Sequence, residues 1–346
     1  MQVISETSVY PTLSVAPMEG LTTVVWRRVH AKHFGAADLY YLPFVTPTIE
    51  PKFTDRQLRE LAPEVNGDLP VVPQLLTRRS ADFIWAAKEL ARMGYKEVNL
   101  NVGCPAGTVV AKGKGSGFLG DPLALGEFFE QIFDADLPIA VSVKTRLGFK
   151  NEEDFLGLAE LFCRYPISKL IVHPRIRSDF YKGDVRLDIL DRALPLIKRP
   201  LGYNGDIVTE NNLQAMIERF KAAPAGLAEV MVGRSLMADP ALFRKAKGGK
   251  PATANEILDF YRDLLESYST HFQSQKNALM RMKEYWFFQL NLFDDNPKLS
   301  ETKSLQKYGK EILRNKEPEV FLNLIEEIAT NFEILPEAKY GWHKPL

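Results

Sequence analysis

The chain has 346 residues, 45% of them hydrophobic and 25% charged, a globular composition and not a disordered one. Its 44 Lys and Arg balance 44 Asp and Glu, which argues against nucleic-acid binding through bulk charge but leaves room for a basic stripe on one face. No run of about 18 apolar residues predicts a membrane span, Met-Gln-Val-Ile-Ser-Glu-Thr lacks a signal-peptide pattern, and two cysteines are too few for a disulfide framework.

A cytoplasmic enzyme is the simplest expectation. No Cys/His spacing suits zinc, so no metal site is expected. Short apolar runs then alternate with amphipathic stretches. Strands are predicted at 13–17, 39–45, 69–75, 97–101, 138–145, 169–173, 200–204 and 229–233. Helical patterns fall between them, at 80–93, 122–134, 152–163 and 210–221. Asp121-Pro122 and Thr209-Glu210 are capped helix starts. The polar segment 46–68 reads as an excursion. Eight strands alternating with helices predict a (β/α)8 TIM barrel, typically about 250 residues long.

Lys247-Gly-Gly-Lys-Pro251 reads as a hinge, dividing a barrel domain at 1–248 from an all-α helical domain at 252–346. Beyond it apolar residues recur at helical spacing only: Ile257, Phe260, Tyr261, Leu264 and Leu265; Leu279, Met282, Trp286 and Leu290; Phe321, Leu324, Ile325 and Ile328. These stripes read as bundle core.

Barrel enzymes work at the carboxyl ends of their strands, and the unusual residues fall there. The first strand runs into Pro17, Met18, Glu19 and Gly20, and the third ends near Gln74. The fourth ends at Asn101, followed by Cys104 in a Gly-Cys-Pro turn. The fifth ends at Lys144 and Arg146, and the sixth at His173 and Arg175. Asn204, Gly205 and Asp206 follow the seventh, and Gly233 and Arg234 close the eighth. Glycine after the last two strands lets backbone N–H groups approach an anion, which suits a phosphorylated cofactor. Lys144 stands on an otherwise apolar strand, where an inward lysine needs an anionic partner. Five basic clusters dot the chain, around Arg27, Arg78, Lys112, Arg175 and Arg244.

Val98-Asn-Leu-Asn-Val-Gly-Cys-Pro105, followed by Val109 and Gly115-Ser116, resembles the active-site signature of the tRNA-dihydrouridine synthases. The resemblance covers about residues 12–248 and, more loosely, the helical tail. It implies an FMN-dependent oxidoreductase that reduces the C5–C6 double bond of D-loop uridines in tRNA, using NADPH. By resemblance Pro17, Met18, Gln74, Lys144, His173, Asn204, Gly205, Asp206, Gly233 and Arg234 contact FMN. Asn101, Arg146 and Arg175 face the uridine or nearby RNA. Cys104 is the general acid that protonates C5, carried between open and closed positions by the loop 113–117. The partners implied are NADPH and tRNA, met at the D-loop and elbow, and a monomer is expected. Ala16-Pro-Met-Glu-Gly20 and Arg281-x-Lys283 with Trp286 resemble the bacterial branch acting on position 16. Pro174 departs from the family, where glycine often follows the histidine. The rival readings are a small-molecule FMN barrel oxidoreductase and a non-catalytic tRNA-binding protein.

Overall fold

The computed structural model describes residues 10–339, so the segment weighed above for a signal sequence lies outside them. Nine strands share one sheet: β1 (Thr12–Val15), β2 (Leu39–Tyr41), β3 (Val71–Val72), β4 (Gln74–Leu75), β5 (Glu97–Val102), β6 (Ala140–Gly148), β7 (Leu170–Ile176), β8 (Leu201–Tyr203) and β9 (Leu227–Val232). Their order is β3-β2-β1-β9-β8-β7-β6-β5-β4, and the paired neighbours run parallel. β3 and β4 are separated in the chain by Pro73 alone, so the two ends of the sheet meet and the barrel closes. The nine strands are therefore eight staves, as expected. Pro73 cuts the third stave because it has no N–H to donate, while its carbonyl still accepts the Asn99 N–H at 2.9 Å.

The barrel helices Ser80–Arg92, Pro122–Asp134, Asp154–Arg164 and Glu210–Phe220 lie close to their expected bounds. Asp121 and Thr209 cap theirs by accepting the Ala124 and Asn212 N–H groups. The excursion carries two short helices, Asp55–Leu61 and Pro63–Asn66. Arg27 pins it to the barrel through Glu60 at 2.9 Å and Asn66 at 2.6 Å.

Period-two alternation sorts each stave into two faces. Val98, Leu100 and Val102 of β5 join the apolar layer beneath the helices. Glu97, Asn99 and Asn101 alternate with them. Ser142, Lys144 and Arg146 of β6, and Glu229 of β9, take the same inner face. Low in the barrel Glu229 accepts from Ser14 at 2.5 Å and Tyr41 at 3.1 Å, and pairs with Lys169 at 2.5 Å. The interior is thus stacked with polar groups that satisfy one another, as buried polar groups must be.

Past the barrel come the helices Ala254–Phe272, Gln275–Gln289, Leu305–Arg314 and Pro318–Asn331. The expected apolar stripes are their buried faces, with Leu290 half-buried. The helical tail also carries a small antiparallel ribbon, β10 (Phe293–Pro297) with β11 (Phe332–Ile334), which pairs segments too far apart in sequence to leave a local signal. The 247–251 segment is not a free hinge. Arg244 donates to Lys250 O at 2.9 Å and Pro251 O at 3.1 Å, and pairs with Glu256 at 2.7 Å. One apolar cluster runs from barrel into tail. Polar bonds join the two as well: Tyr285 OH donates to Leu21 O at 2.6 Å, and Gln289 Nε2 to Ala238 O at 2.8 Å.

Candidate active site

A cavity of about 410 Å³ opens at the carboxyl ends of the strands. Twelve of the fourteen residues singled out from the sequence line it. Pro17 and Met18 come from the β1 end, Asn101 and Cys104 from β5, Lys144 and Arg146 from β6, and His173 from β7. Asn204, Gly205 and Asp206 follow β8, and Gly233 and Arg234 follow β9. A larger groove of about 1210 Å³ between the Val24–Phe34 and Ala254–Phe272 helices contains none of them.

The Cys104 turn is held from both sides through its backbone. Asn101 Oδ1 accepts the Gly103 N–H at 3.0 Å and the Cys104 N–H at 2.9 Å. On the other side Cys104 O accepts from Ser116 N at 3.0 Å and Ser116 Oγ at 2.9 Å. Gly115 makes that contact possible: its φ is +56°, and a Cβ there would lie 2.7 Å from Cys104 O. The loop 113–117, read from the sequence as a carrier of the thiol, packs on the turn and bonds its backbone. Burial pushes the thiol's pKa up, so it is protonated at neutral pH.

Lys144 has no hydrogen-bond partner among the described residues. Burial first, and Arg146 next, push its pKa down to about 7. An anion in the cavity would reverse that shift. Burial and the surrounding guanidinium and ammonium groups hold His173 neutral. Its Nε2 accepts from Arg175 Nη1 at 3.0 Å, so the ring proton sits on Nδ1 and is available as a donor. Arg146 is buried and bonds Gly103 O at 2.9 Å, Ile176 O at 3.0 Å and Phe180 O at 2.6 Å. It clamps the Cys104 turn to the loop after β7.

Gln74 and Arg175 do not line the cavity. Gln74 is fully buried below it, donating to Asn99 Oδ1 at 2.7 Å and accepting from Asn101 Nδ2 at 2.8 Å. Arg175 is also fully buried and forms a two-pronged pair with Asp206. Opposite Leu147, two residues of β7, Pro174 and Arg175, occupy the space of one; the register passes from Arg146↔His173 to Gly148↔Ile176. Proline fits at such a bulge because no ladder N–H is needed there. Asp206 also holds Arg234 at 3.0 Å. Its carboxylate orients two guanidiniums at the edge of the cavity that it also lines.

Glu19, named from the sequence at the end of the first strand, also lines the cavity, and the structure adds residues that the sequence did not single out: Phe44, Tyr181 and Phe288. Tyr181 lies beneath the Arg146 and Arg234 guanidiniums, each 5.4 Å from its ring centre. Phe288 had a signal. Tyr285-Trp-Phe-Phe288 is four aromatics in a row, and one helix face cannot bury all four. Trp286, by contrast, is core, 4.8 Å from the Tyr261 ring. Lys283 donates to Leu313 O at 3.1 Å and to Asn315 O. The position-16 pattern therefore gains no support from these two side chains.

The basic clusters are only partly neutralised internally. Arg244, Lys245 and Lys247 pair with Glu256, Asp239 and Asp38. Arg78, Lys112 and Lys114 beside the Cys104 turn have no ion pair among the described residues. No helix among the described residues is long and apolar enough to cross a membrane, and no metal-binding group of side chains occurs among them.

Residues 14–333 match the family model described as dihydrouridine synthase. The chain is 28% identical over 269 residues to the probable tRNA-dihydrouridine synthase 2 of Bacillus subtilis, covering 75% of this chain and 79% of that one. It is 30% identical over 273 residues to the probable tRNA-dihydrouridine synthase of Rhodobacter capsulatus, covering 74% and 79%. Among solved structures, the old yellow enzyme homologue of Zymomonas mobilis superposes with a TM-score of 0.51 at 15% identity, covering 70% of this chain and 90% of that one, a likeness of fold.

Proposed function

The chain belongs to the dihydrouridine synthase family of flavin-dependent oxidoreductases acting on tRNA, and within it we propose that the cavity at the strand ends reduces a D-loop uridine, with FMN as cofactor and NADPH as reductant. The observation that carries this reading is one cavity holding a protonated thiol on a turn bonded from both sides and a half-buried lysine without a hydrogen-bond partner among the described residues.

The residues present fit FMN. Gly233 packs so tightly on Ala16 and Met18 that a Cβ there would lie 3.3 Å from each. Gly205 and Gly233 line the same cavity, and Arg234 beside them, paired with Asp206, offers a guanidinium to a phosphate. Pro17 and Met18 offer an apolar ledge, and Asn204 and the His173 Nδ1–H offer polar contacts. Lys144 supplies the positive charge that a reduced flavin's anionic ring requires. Bound FMN supplies the hydride for C6 of the uracil.

The uridine must leave its stack to reach this cavity, and Tyr181, Phe44 and Phe288 give it aromatic surface. Cys104 then gives its proton to C5. Arg146 keeps the Cys104 turn and the Tyr181 loop in register. Arg78, Lys112 and Lys114 meet RNA phosphates at the rim, which reconciles zero net charge with a tRNA substrate. The helical tail, docked as a wall of the cavity through Phe288, holds the tRNA elbow. A monomer in the cytoplasm suffices for this activity.

The test is mass-spectrometric mapping of dihydrouridine in tRNA from cells lacking this protein, followed by addition of purified enzyme and NADPH. Loss and restoration at one position supports the proposal. An unchanged profile, with no product on dihydrouridine-free tRNA, moves the assignment to a small-molecule FMN reductase.

A further inference from the structure

Below the cavity floor a single file of buried side chains joins three staves. Asn101 Nδ2 donates to Gln74 Oε1 at 2.8 Å, Gln74 Nε2 to Asn99 Oδ1 at 2.7 Å, and Asn99 Nδ2 to Ser142 Oγ at 2.9 Å. The four side chains are 0–7% exposed. The direction of the file is forced. Asn101 Oδ1 faces two backbone N–H donors, so its amide nitrogen must point at Gln74. Each later amide is then oriented by the one before it. Ser142 is in turn a hydrogen-bond partner of Tyr41, which donates to Glu229 at 3.1 Å. The file is thereby anchored in the ionic layer at the bottom of the barrel.

We infer that Asn99 is a positioning residue for the Cys104 turn, acting through Gln74 and Asn101. Asn99 touches neither the turn nor the cavity. It is the acceptor that stops Gln74 from rotating. Gln74 in turn presents the oxygen that keeps Asn101 facing the Gly103 and Cys104 N–H groups. Without that acceptor Gln74 has a buried unsatisfied donor, and rotation to satisfy it releases Asn101.

The kinetic part of the test rests on Cys104 as proton donor; the thiol part stands without it. FMN-loaded Asn99→Leu and Asn99→Asp enzymes, each also carrying Cys163→Ser, are alkylated with iodoacetamide from about pH 6 to about pH 10 to bracket the thiol. Asn99→Leu keeps the fork at Cγ and removes both polar atoms. The loosened turn should expose the thiol, speed alkylation and lower its apparent pKa. The kcat for tRNA should fall about tenfold, because a small misplacement of a reacting group is costly, while KM stays within about threefold. Asn99→Asp should stay close to the parent in both readouts, since one carboxylate oxygen still accepts from Gln74 and the other accepts the Ser142 hydroxyl. Parent-like alkylation in Asn99→Leu, or equal impairment in Asn99→Asp, overturns the inference. A thiol effect with unchanged kcat supports the positioning role and counts against Cys104 as acid. If Asn99→Leu does not fold, Ser142→Ala takes its place, with a smaller shift expected in the same direction and no shift overturning the inference.

Discussion

Replacing Cys104 with alanine removes the proposed acid and little else. The turn is held by the residue's own N–H and C=O, bonded to Asn101 and Ser116, and both bonds survive the change. FMN content, tRNA affinity and the rate of flavin reduction should therefore stay near wild type. The rate of dihydrouridine formation should fall by about a hundredfold to ten-thousandfold, the usual worth of a positioned general acid. At 1.36 kcal/mol per decade that is roughly 3–5 kcal/mol of transition-state stabilisation. The assay is single-turnover oxidation of pre-reduced enzyme by tRNA under anaerobic conditions, with the product counted by mass spectrometry. The pH dependence has a definite sign. The thiol's pKa is raised above its ordinary 9.0, and the protonated form is the active one. Wild-type rate should be flat through neutrality and fall as pH rises past that pKa. The alanine variant should lack this limb. A loss under about threefold, or a wild-type rate that climbs with pH as the thiolate forms, would refute the assignment.

Lys144→Met should purify with less flavin or be reduced more slowly by NADPH. In the FMN-loaded wild type the bound anion should hold the lysine protonated above the value of about 7 in the flavin-free site, so any decline of flavin reduction should begin at a pH above about 7; a normal, fully yellow methionine variant would count against the lysine. The same shift has a stability sign. The folded pKa lies below the ordinary 10.5, so the flavin-free protein should gain stability as pH rises from about 7 toward 10.5, as thermal melts can show. Arg175→Met leaves Asp206 buried with only part of its pairing, which should cost about 3–5 kcal/mol and weaken FMN binding through Arg234, seen by melting and flavin titration. Lys112→Glu with Lys114→Glu should raise the tRNA KM and flatten its salt dependence while sparing flavin reduction; an unchanged KM would place the RNA elsewhere.

The two exceptions among the cavity residues show where local reasoning stops. Gln74 and Arg175 both stand at strand ends and carry the right chemistry, yet both are buried partners of other side chains. Arg175 stands in a bulge of β7 that tolerates Pro174 because no ladder N–H is needed there. Gln74 is positioned by the break at Pro73, which sets its register against Asn99. The alternation Glu97-x-Asn99-x-Asn101 with Ser142-x-Lys144-x-Arg146 was legible as one polar face on each of two strands. That those faces bond each other depends on the pairing of β5 with β6.

The sequence by itself determined the barrel, the helical character of the tail and the thiol's place on a turn. These follow from periodicity and from Gly and Pro, which act over a few residues. Only the tertiary structure decided which strand-end residues reach the cavity, and that Tyr181 and Phe288 join them. It also decided that the 113–117 loop braces the Cys104 turn, and that Arg244, Lys245 and Lys247 are paired with carboxylates while Arg78, Lys112 and Lys114 beside Cys104 have no ion pair among the described residues. The cavity lining is a meeting of groups far apart in the chain, fixed by strand register and ring closure, and no local pattern encodes the distance between them.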